Sequence, residues 1–285
     1  MDVANDVAFL AMDLDYEGRS DLARHFVARM AAALGDRGMT PLMDFYKCYR
    51  AYVRGKVESL HSVVPAAPEA ERAVSAERAG RYFRLALQYS IAGSQPLVLA
   101  VIGRIGTGKS TVAEALAQEL GWEVFSSDRV RKRLAGFPPG ERSEGAARTR
   151  LYSQAMTQLT YHALFRHAAR CVKAHRSVIL DATFGRRVYR DQLKDALARS
   201  GASCRFIEAQ ANDAFVKQRL EGRDSGAKVV SDARLEDFDD LNRRFEAPAE
   251  LALRELLSLS TEDSSAAELL AALKGLTLLH LKTPG

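Results

Sequence analysis

The segment at residues 103–110 constrains the fold of this 285-residue chain more than any other. It reads G-R-I-G-T-G-K-S and fits the pattern G-x-x-x-x-G-K-S/T at every fixed position. Glycines at these spacings let the backbone turn tightly and bring its N–H groups within reach of phosphate oxygens. The apolar run L-V-L-A-V-I before it predicts a strand, and a helical pattern follows from Lys109. The sequence therefore predicts a strand, a phosphate-binding loop and a helix in succession.

The polar positions of this loop have predicted roles toward a nucleotide and its metal. Lys109 is expected to reach the β- and γ-phosphates, and Ser110 is expected to bind Mg²⁺. The helix that starts near Lys109 adds the positive end of its dipole. The predicted nucleotide-binding residues of this segment are Gly103, Arg104, Ile105, Gly106, Thr107, Gly108, Lys109, Ser110 and Thr111.

From residue 97 onward, short β-rich runs alternate with amphipathic helical patterns. The runs lie at 97–102, 122–127, 177–182, 204–209 and 256–260. Such alternation is typical of an α/β fold in which helices cover both faces of a parallel sheet, a three-layer αβα arrangement. The final segment, L-T-L-L-H-L-K-T-P-G, predicts no element.

Upstream of the sheet, residues 1 to about 62 read as helices only. The third helix has a predicted core stripe at helical spacing, formed by Leu42, Phe45, Tyr49, Val53 and Leu60. Its tyrosines alternate with basic residues, which also suits a nucleic-acid surface, but packed tyrosines beside a solvated basic face are favoured.

A joint rich in proline and alanine near 62–68 marks a boundary, and a helix from about 69 to 92 follows it. We therefore predict two parts: an all-α N-terminal segment at 1–65 and a nucleotide-binding domain at 66–285.

The composition is that of a globular protein with a small excess of positive charge. The chain has 41 lysines and arginines against 36 aspartates and glutamates, a net charge of +5. This excess fits an anionic ligand and equally fits ordinary solvation. No apolar run is long enough to cross a bilayer, and we expect no signal peptide and no membrane partner. The three widely spaced cysteines lack zinc-binding spacing, so we expect a reduced, cytoplasmic protein.

Asp128 follows the second predicted strand, in S-S-D-R-V-R, and is the candidate general base. A strand ends and a helix begins there, which places the carboxylate in the crevice at the carboxyl edge of the sheet. A carboxylate in that position can accept the proton of an attacking hydroxyl. Arg131 lies one helical turn further and is predicted to bind an anionic group of the substrate. The alternative is structural: Asp128 caps the helix, and Arg131 pairs with it.

Asp181 and two arginines complete the predicted site. Asp181 ends the third strand, in V-I-L-D-A-T-F, and is predicted to order a Mg²⁺-bound water or the substrate; the alternative is an Asx turn. Arg219 and Arg223 lie one turn apart, before a loop that contains glycine. Arginines on a closing loop neutralise charge on a transferred phosphoryl group, whereas the alternative is a solvated basic face.

Together, the phosphate loop, S-S-D with an arginine three residues on, D-A-T-F and the later arginines resemble the P-loop kinases of the polynucleotide-kinase, gluconate-kinase and zeta-toxin kind, P-loop proteins like the AAA-family ATPases. The resemblance covers about residues 95–262. It implies a five-stranded parallel sheet in the order 2-3-1-4-5, Mg-ATP as donor and transfer to a hydroxyl. It also implies that Asp128 is the general base, that Arg131 binds the acceptor, and that Arg219 or Arg223 is the lid arginine.

The N-terminal helices resemble a different family. Segments 1–26 and 41–57 are similar to the last helices of an aminoglycoside-phosphotransferase-like domain, which bacteria also fuse to P-loop kinase-like domains. The catalytic loop of that family contains H-x-D, which occurs nowhere in this chain. The resemblance therefore implies a helical remnant or fragment without phosphotransferase activity, whose apolar surface favours a homodimer through these helices.

These observations predict a kinase that transfers the γ-phosphate of Mg-ATP to a hydroxyl of an unidentified acceptor, with a small molecule favoured. The predicted residues are Lys109, Asp128 and Arg223 for catalysis, Asp128, Arg131 and Asp181 for the substrate, Arg219 for the nucleotide, and Ser110 and Asp181 for the metal. Two alternatives stay open. One is a nucleotide-binding switch or weak NTPase, and the other is a polynucleotide 5′-hydroxyl kinase, whose substrate binding weakens steeply with salt.

Overall fold

The computed structural model describes residues 2–36, 38–138, 141, 143–198, 200–224 and 234–281, without the side chains at 223 and 224. Its contacts divide the chain into two compact units. The first comprises Met1–Ser94, Glu119–Gly121 and His280–Gly285, and the second comprises Gln95–Gln118 and Trp122–Leu279. Across the described residues, no helix combines the length and the apolar character needed to cross a membrane.

The first unit is helical. Its helices are α1 Val3–Tyr16, α2 Ser20–Leu34, α3 Met39–Ser62 and α4 Glu69–Ala92. The predicted helix at 69–92 is confirmed as α4. This compact unit extends past the predicted 1–65 segment because α4 packs closely on α3: a Cβ on Gly55 would lie 2.8 Å from the ring of Phe83.

The helix α3 buries the face opposite to the predicted stripe. Its buried residues are Met39, Met43, Lys47, Ala51 and Gly55. The predicted residues Leu42, Phe45, Tyr49 and Leu60 are exposed instead. Lys47 is tolerated inside because its ammonium lies 2.6 Å from the Asp15 carboxylate and donates to the Ser94 hydroxyl at 2.8 Å. The predicted core stripe is wrong, since both faces of α3 carry apolar residues and spacing alone does not show which face α4 covers.

The second unit is built on a parallel sheet. Its strands are β1 Leu97–Ile102, β2 Glu123–Ser126, β3 Val178–Asp181, β4 Ser203–Gln210 and β5 Leu256–Ser260. Within the described residues these five strands follow the order β2-β3-β1-β4-β5, and each neighbouring pair is parallel. The predicted α/β class and the order 2-3-1-4-5 are confirmed.

Helices separate the strands and form the outer layers. They are α5 Lys109–Leu120, α6 Ser127–Leu134, α7 Gly145–Leu151, α8 Gln154–Lys173, α9 Arg187–Ala198, α10 Asp213–Asp224, α11 Phe238–Arg243 and α12 Ser265–Leu281, with a 3-10 turn at Leu235–Asp237. All six residues of β1 are buried, because layers cover both faces of this central strand. The helix α12 includes residues 276–281, where the sequence predicted no element.

The register of the sheet brings three chain segments to one edge. Asp181, the last residue of β3, pairs with Val101 of β1 and with Ser126 of β2. The carboxyl ends of parallel strands meet at the same edge, where α/β folds bind ligands. The phosphate loop after β1, Asp181 and the start of α6 therefore converge there.

Candidate active site

The phosphate loop joins β1 to α5 and needs glycine where its backbone makes close contacts. Gly103 has a φ of +138°, and a Cβ there would lie 2.5 Å from the carbonyl oxygen of Ala209. Gly108 has a φ of +84°, and its Cβ would lie 3.0 Å from Nη1 of Arg219. Side chains at such φ values strain the backbone. The path of the loop thus depends on these glycines whatever ligand it binds.

Lys109 and Ser110, the first residues of α5, contact the loop and β3. Nζ of Lys109 donates to the carbonyl oxygen of Arg104 at 2.5 Å, and the Thr107 hydroxyl donates to the same oxygen at 2.9 Å. Oγ of Ser110 donates to a carboxylate oxygen of Asp181 at 2.8 Å. The hydroxyl and the carboxylate predicted to bind the metal are therefore in direct contact.

Asp181 is a buried acid with 5% of its surface exposed. Burial raises the pKa of its carboxyl above the ordinary value of 3.8, and the nearby charge of Asp128 raises it further. The charge of Lys109 and hydrogen bonds from the Ser110 and Ser126 hydroxyls oppose this rise in pKa. A carboxylate in such a position is stabilised by added positive charge.

Asp128 lies in the first turn of α6 and is half-buried. The residue at the N-cap of α6 is Ser126, so Asp128 does not take the capping position that the structural alternative requires. Its charge is the second of the two causes that raise the pKa of the Asp181 carboxyl, after burial.

Arg131 is buried, with 7% of its surface exposed. Its Nη1 donates to the carbonyl oxygen of Leu151 at 3.0 Å and to Oγ1 of Thr157 at 3.1 Å, and its guanidinium lies 4.8 Å from the centre of the Tyr152 ring. Its Nε has no hydrogen-bond partner among the described residues. These contacts are with neutral groups of α7, of Tyr152 just after it and of α8. They do not include Asp128, in contrast to the pairing that the structural alternative requires.

The D-A-T-F turn after β3 is held in a strained conformation. Phe184 has a φ of +45°, which is unfavourable for a bulky residue. Its N–H donates to the Tyr161 hydroxyl at 2.9 Å, and its carbonyl accepts from Nη1 of Arg190 at 2.7 Å. Arg190 is fully buried and forms an ion pair with Glu250. The turn that follows Asp181 is thus fixed from two sides.

Several of these groups line one cavity of about 1050 Å³. This volume is slightly above that of ordinary small-ligand pockets. The predicted residues in its lining are Arg104, Ile105, Gly106, Gly108, Lys109, Ser110, Asp128, Arg131 and Asp181. Four other predicted residues stand outside its described lining: Gly103, Thr107, Thr111 and Arg219. The separate sequence motifs therefore meet in a single concave site.

Comparison with protein families identifies the domain that holds this cavity. The family described as "AAA domain" matches residues 98–248, more than half of the 285-residue chain. The chain belongs to this AAA domain family. The matched stretch contains the phosphate loop, Asp128 and Asp181.

Sequence relatives of the chain occur in mycobacteria. Uncharacterized proteins of Mycobacterium tuberculosis (strain H37Rv) and of Mycobacterium bovis are 41% identical over 187 residues, 65% of this chain. The chain spans about a third of the length of these relatives, since the aligned part is 36% of them.

Some solved structures are similar to about two thirds of this chain. A candidate kinase from Chloroflexus aurantiacus matches with a TM-score of 0.50 and 19% identity, over 64% of this chain and 98% of that one. A gluconokinase from Sinorhizobium meliloti matches with a TM-score of 0.47 and 19% identity, over 65% of this chain and 93% of that one. The first likeness supports a P-loop kinase-like fold.

Both predicted lid arginines lie on α10 of the AAA domain. Nη2 of Arg219 donates to the carbonyl oxygen of Thr261 at 2.7 Å, and its guanidinium lies 4.4 Å from the centre of the Phe215 ring. The Thr261 hydroxyl in turn donates to the carbonyl oxygen of Thr107 at 2.7 Å. Arg219 therefore braces the phosphate loop from outside the cavity, and the side chain of Arg223 lies outside the described part of the chain.

The AAA domain also brings residues to the cavity that the sequence analysis did not single out. They include Arg148, Tyr152, Arg186, Tyr189, Arg234, Glu236, Asp237 and Arg243. No motif marks these positions, and most lie in segments rich in charge without periodicity. The only signal in the sequence is the density of arginines, which fits an anionic ligand and a solvated surface equally well.

Proposed function

We propose that the chain is a kinase that transfers the γ-phosphate of ATP to a hydroxyl of a small acceptor carrying an anionic group. The observation that best supports this proposal is that one cavity is lined by Lys109, Ser110, Asp128, Arg131 and Asp181. A phosphate-binding loop, a carboxylate and a buried cation in one concavity match the parts that phosphoryl transfer needs.

On the nucleotide side, the loop residues 103–111 are proposed to bind ATP, and Arg219 is proposed to contribute to nucleotide binding through its support of this loop by way of Thr261. Lys109 exchanges its hydrogen bond with the Arg104 carbonyl for phosphate oxygens, and the first N–H groups of α5 face the same anion. Arg223 is proposed to contribute positive charge to the transferred group, as the resemblance implies.

The residues present fit Mg²⁺. The ion prefers oxygen ligands and takes one or two protein groups together with waters and substrate phosphates. Ser110 and Asp181 offer a hydroxyl and a buried carboxylate in contact, and the described residues contain no cluster of three acidic, histidine or cysteine ligands. These two residues would hold the ion, which supplies neutralisation of phosphate charge when bound.

Asp128 is proposed as the general base. It takes the proton of the acceptor hydroxyl, whose oxygen then forms the new bond to the γ-phosphorus. The bond from that phosphorus to the bridging oxygen breaks, and its electron pair leaves with ADP. Asp128 suits this role because it lines the cavity beside the phosphate loop and does not cap its helix.

Arg131 is proposed to bind the anionic group of the acceptor. Its described polar partners are neutral, and its Nε has none. A buried cation without a carboxylate is unfavourable, and an anion delivered by a ligand offsets that cost. Position 131 lies one helical turn from Asp128, so the same acceptor can reach both.

The test is transfer of γ-labelled phosphate from Mg-ATP into a metabolite extract and a pool of 5′-hydroxyl oligonucleotides. Asp128→Asn and Lys109→Ala are expected to lose labelled product, whereas Asp191→Asn, an exposed acid outside the cavity lining, keeps it. Free phosphate as the only product, unchanged in Asp128→Asn, favours a nucleotide switch or weak NTPase. Label confined to oligonucleotides, with binding that weakens steeply with salt, favours a polynucleotide kinase.

For the N-terminal part, we propose that residues 1–65 are derived from the end of an aminoglycoside-phosphotransferase-like domain. We place the functional boundary of this part between residues 65 and 66. The sequence resemblance and the all-helical build of the first unit support it. Exposed aromatic and aliphatic side chains on α3, Phe45 and Leu60 among them, support a homodimer through these helices. Sedimentation of the wild type as a monomer at every concentration would refute the dimer, and Phe45→Glu is expected to dissociate it.

A further inference from the structure

Two chain segments that no motif marks form one wall of the cavity. The helix α7 contributes Gly145, Arg148 and Thr149, and the 3-10 turn with the residue before it contributes Arg234, Glu236 and Asp237. These segments lie far apart in sequence, and both line the same concavity as Asp128.

Crossed ion pairs join the two segments. Arg148 of α7 pairs with Asp237, and its Nη1 lies 3.5 Å from Glu236. In the opposite direction, Arg234 lies 3.3 Å from Glu144 at the N-cap of α7 and 3.7 Å from Glu236. Glu236 therefore lies near two arginines, Arg148 of α7 and Arg234 of its own segment.

Besides these pairs, the described contacts of α7 include the hydrogen bond that Nη1 of Arg131 donates to the carbonyl oxygen of Leu151 at 3.0 Å. The helix has seven residues, too few for stability by itself, and its N-cap makes no side-chain hydrogen bond. Among its described residues only Leu151 is buried. The ion pairs differ in exposure: 24% of the Arg148 side chain and 20% of that of Asp237 reach solvent, against 65% of that of Glu236 and 79% of that of Glu144. Pairs of this kind are modest in energy and respond to salt, so this wall can open without unfolding the sheet.

We infer that these crossed pairs are an electrostatic latch that determines which acceptors react. When these ion pairs are formed, α7 and the 3-10 turn together make one wall of the cavity. This wall keeps water from the reacting phosphate and leaves room for a compact anionic acceptor. A polymer has to displace the wall to reach Asp128. This inference rests on the proposed kinase function, and exclusion of water by a closing element is what such transfer requires.

The first experiment measures hydrogen exchange of the peptide that covers α7, in the full chain. Glu236→Gln removes the shared charge and is expected to speed exchange there about threefold to tenfold, as does Glu144→Gln to a smaller extent. Asp240→Asn is the matched control: it removes an equal charge four residues away, at an exposed acid that is not in the cavity lining although its partner Arg244 is, and should leave α7 unchanged. Equal exchange in Glu236→Gln and Asp240→Asn would overturn the latch.

The second experiment measures how the wall affects hydrolysis of Mg-ATP and transfer of its γ-phosphate. Glu236→Gln is expected to raise release of free phosphate without acceptor, and to raise labelling of a 5′-hydroxyl decathymidylate, whereas Asp240→Asn changes neither. Faster exchange of α7 with both rates unchanged would show a structural brace and overturn the role in specificity. If the wild type transfers label to nothing and releases no phosphate, the proposed kinase function fails, and faster exchange of α7 in Glu236→Gln still reports the ion pairs by themselves.

Discussion

Arg190 offers the sharpest test of how the D-A-T-F turn is held. The side chain is fully buried, and its guanidinium donates to the carbonyl oxygens of Phe184 at 2.7 Å and Glu246 at 3.0 Å. It also forms a two-pronged ion pair with Glu250. The substitution Arg190→Met keeps much of the side-chain volume and removes the charge and the hydrogen-bond donors.

Arg190→Met is expected to lower the free energy of unfolding, because the buried Glu250 carboxylate loses its partner. Removing one partner of a buried ion pair costs about 3–5 kcal/mol, because the other charge stays behind. For a protein of this size each kcal/mol lowers the melting temperature by about 2–4 °C, so we expect a decrease of roughly 6–20 °C. The double variant Arg190→Met with Glu250→Met should recover part of this, since an apolar pair replaces the ionic one.

The contribution of the Arg190–Glu250 pair to the stability of the fold also depends on pH. The hydrogen bond from Arg190 holds the pKa of the Glu250 carboxyl below its ordinary value of 4.5. A lowered carboxyl pKa stabilises the fold above pH 4.5, and this contribution is lost as the pH falls through the lower, folded-state pKa. In Arg190→Met the free energy of unfolding should no longer show this part of the acid dependence.

The assay is thermal unfolding followed by circular dichroism at neutral and acidic pH. Arg187→Met on the same helix is the control, because its pair with Asp191 is exposed and should contribute at most about 1 kcal/mol. If Arg190→Met melts within about 2 °C of the wild type, the assigned role of the buried pair is wrong.

Three further substitutions test other parts of the molecule. Gly103→Ala places a Cβ against the Ala209 carbonyl and is expected to cost several kcal/mol and to abolish binding of an ATP analogue in calorimetry; full binding would contradict the close contact. Lys47→Met leaves the Asp15 carboxylate without its cation, and urea unfolding should show a loss of about 3 kcal/mol; a neutral result would mean that the pair is dispensable. Asp181→Asn removes a buried carboxylate with a raised pKa, so the nucleotide-free protein should gain about 0.5–2 kcal/mol at neutral pH while Mg²⁺-dependent nucleotide binding weakens; a lower melting temperature would refute this trade-off.

The sheet was predictable because its signals are local. The run at 97–102 and the run at 256–260 coincide with β1 and β5, since short apolar segments bounded by loops have few other structures to adopt. The glycines of the phosphate loop were predictable for a similar reason, because each answers a local backbone requirement such as that at Gly103.

The faces of α3 were not predictable from spacing. Phe45 and Leu60 recur as a core stripe does, yet they are exposed, and Lys47 is buried beside Asp15. Which face is covered depends on where α4 packs, and the ion pair that makes a buried lysine acceptable comes from a helix far away in sequence. Arg148 and Arg234 escaped notice for the same reason, because their partners and the cavity they share are set by tertiary packing.

The strained turn at Phe184 makes the cavity wall that follows Asp181 stiffer than the wall formed by α7. A left-handed conformation at such a residue costs about 1–2 kcal/mol, and the Tyr161 hydroxyl and Arg190 keep it in place from opposite sides. The backbone after Asp181 cannot relax unless both contacts break together, so this wall is stiff. By the inference above, the wall of α7 rests on partly exposed charges and is the compliant one. If the proposed kinase function holds, adaptation to acceptors of different shape falls to the side of α7, and the side that carries Asp181 is the fixed reference against which the phosphate is aligned.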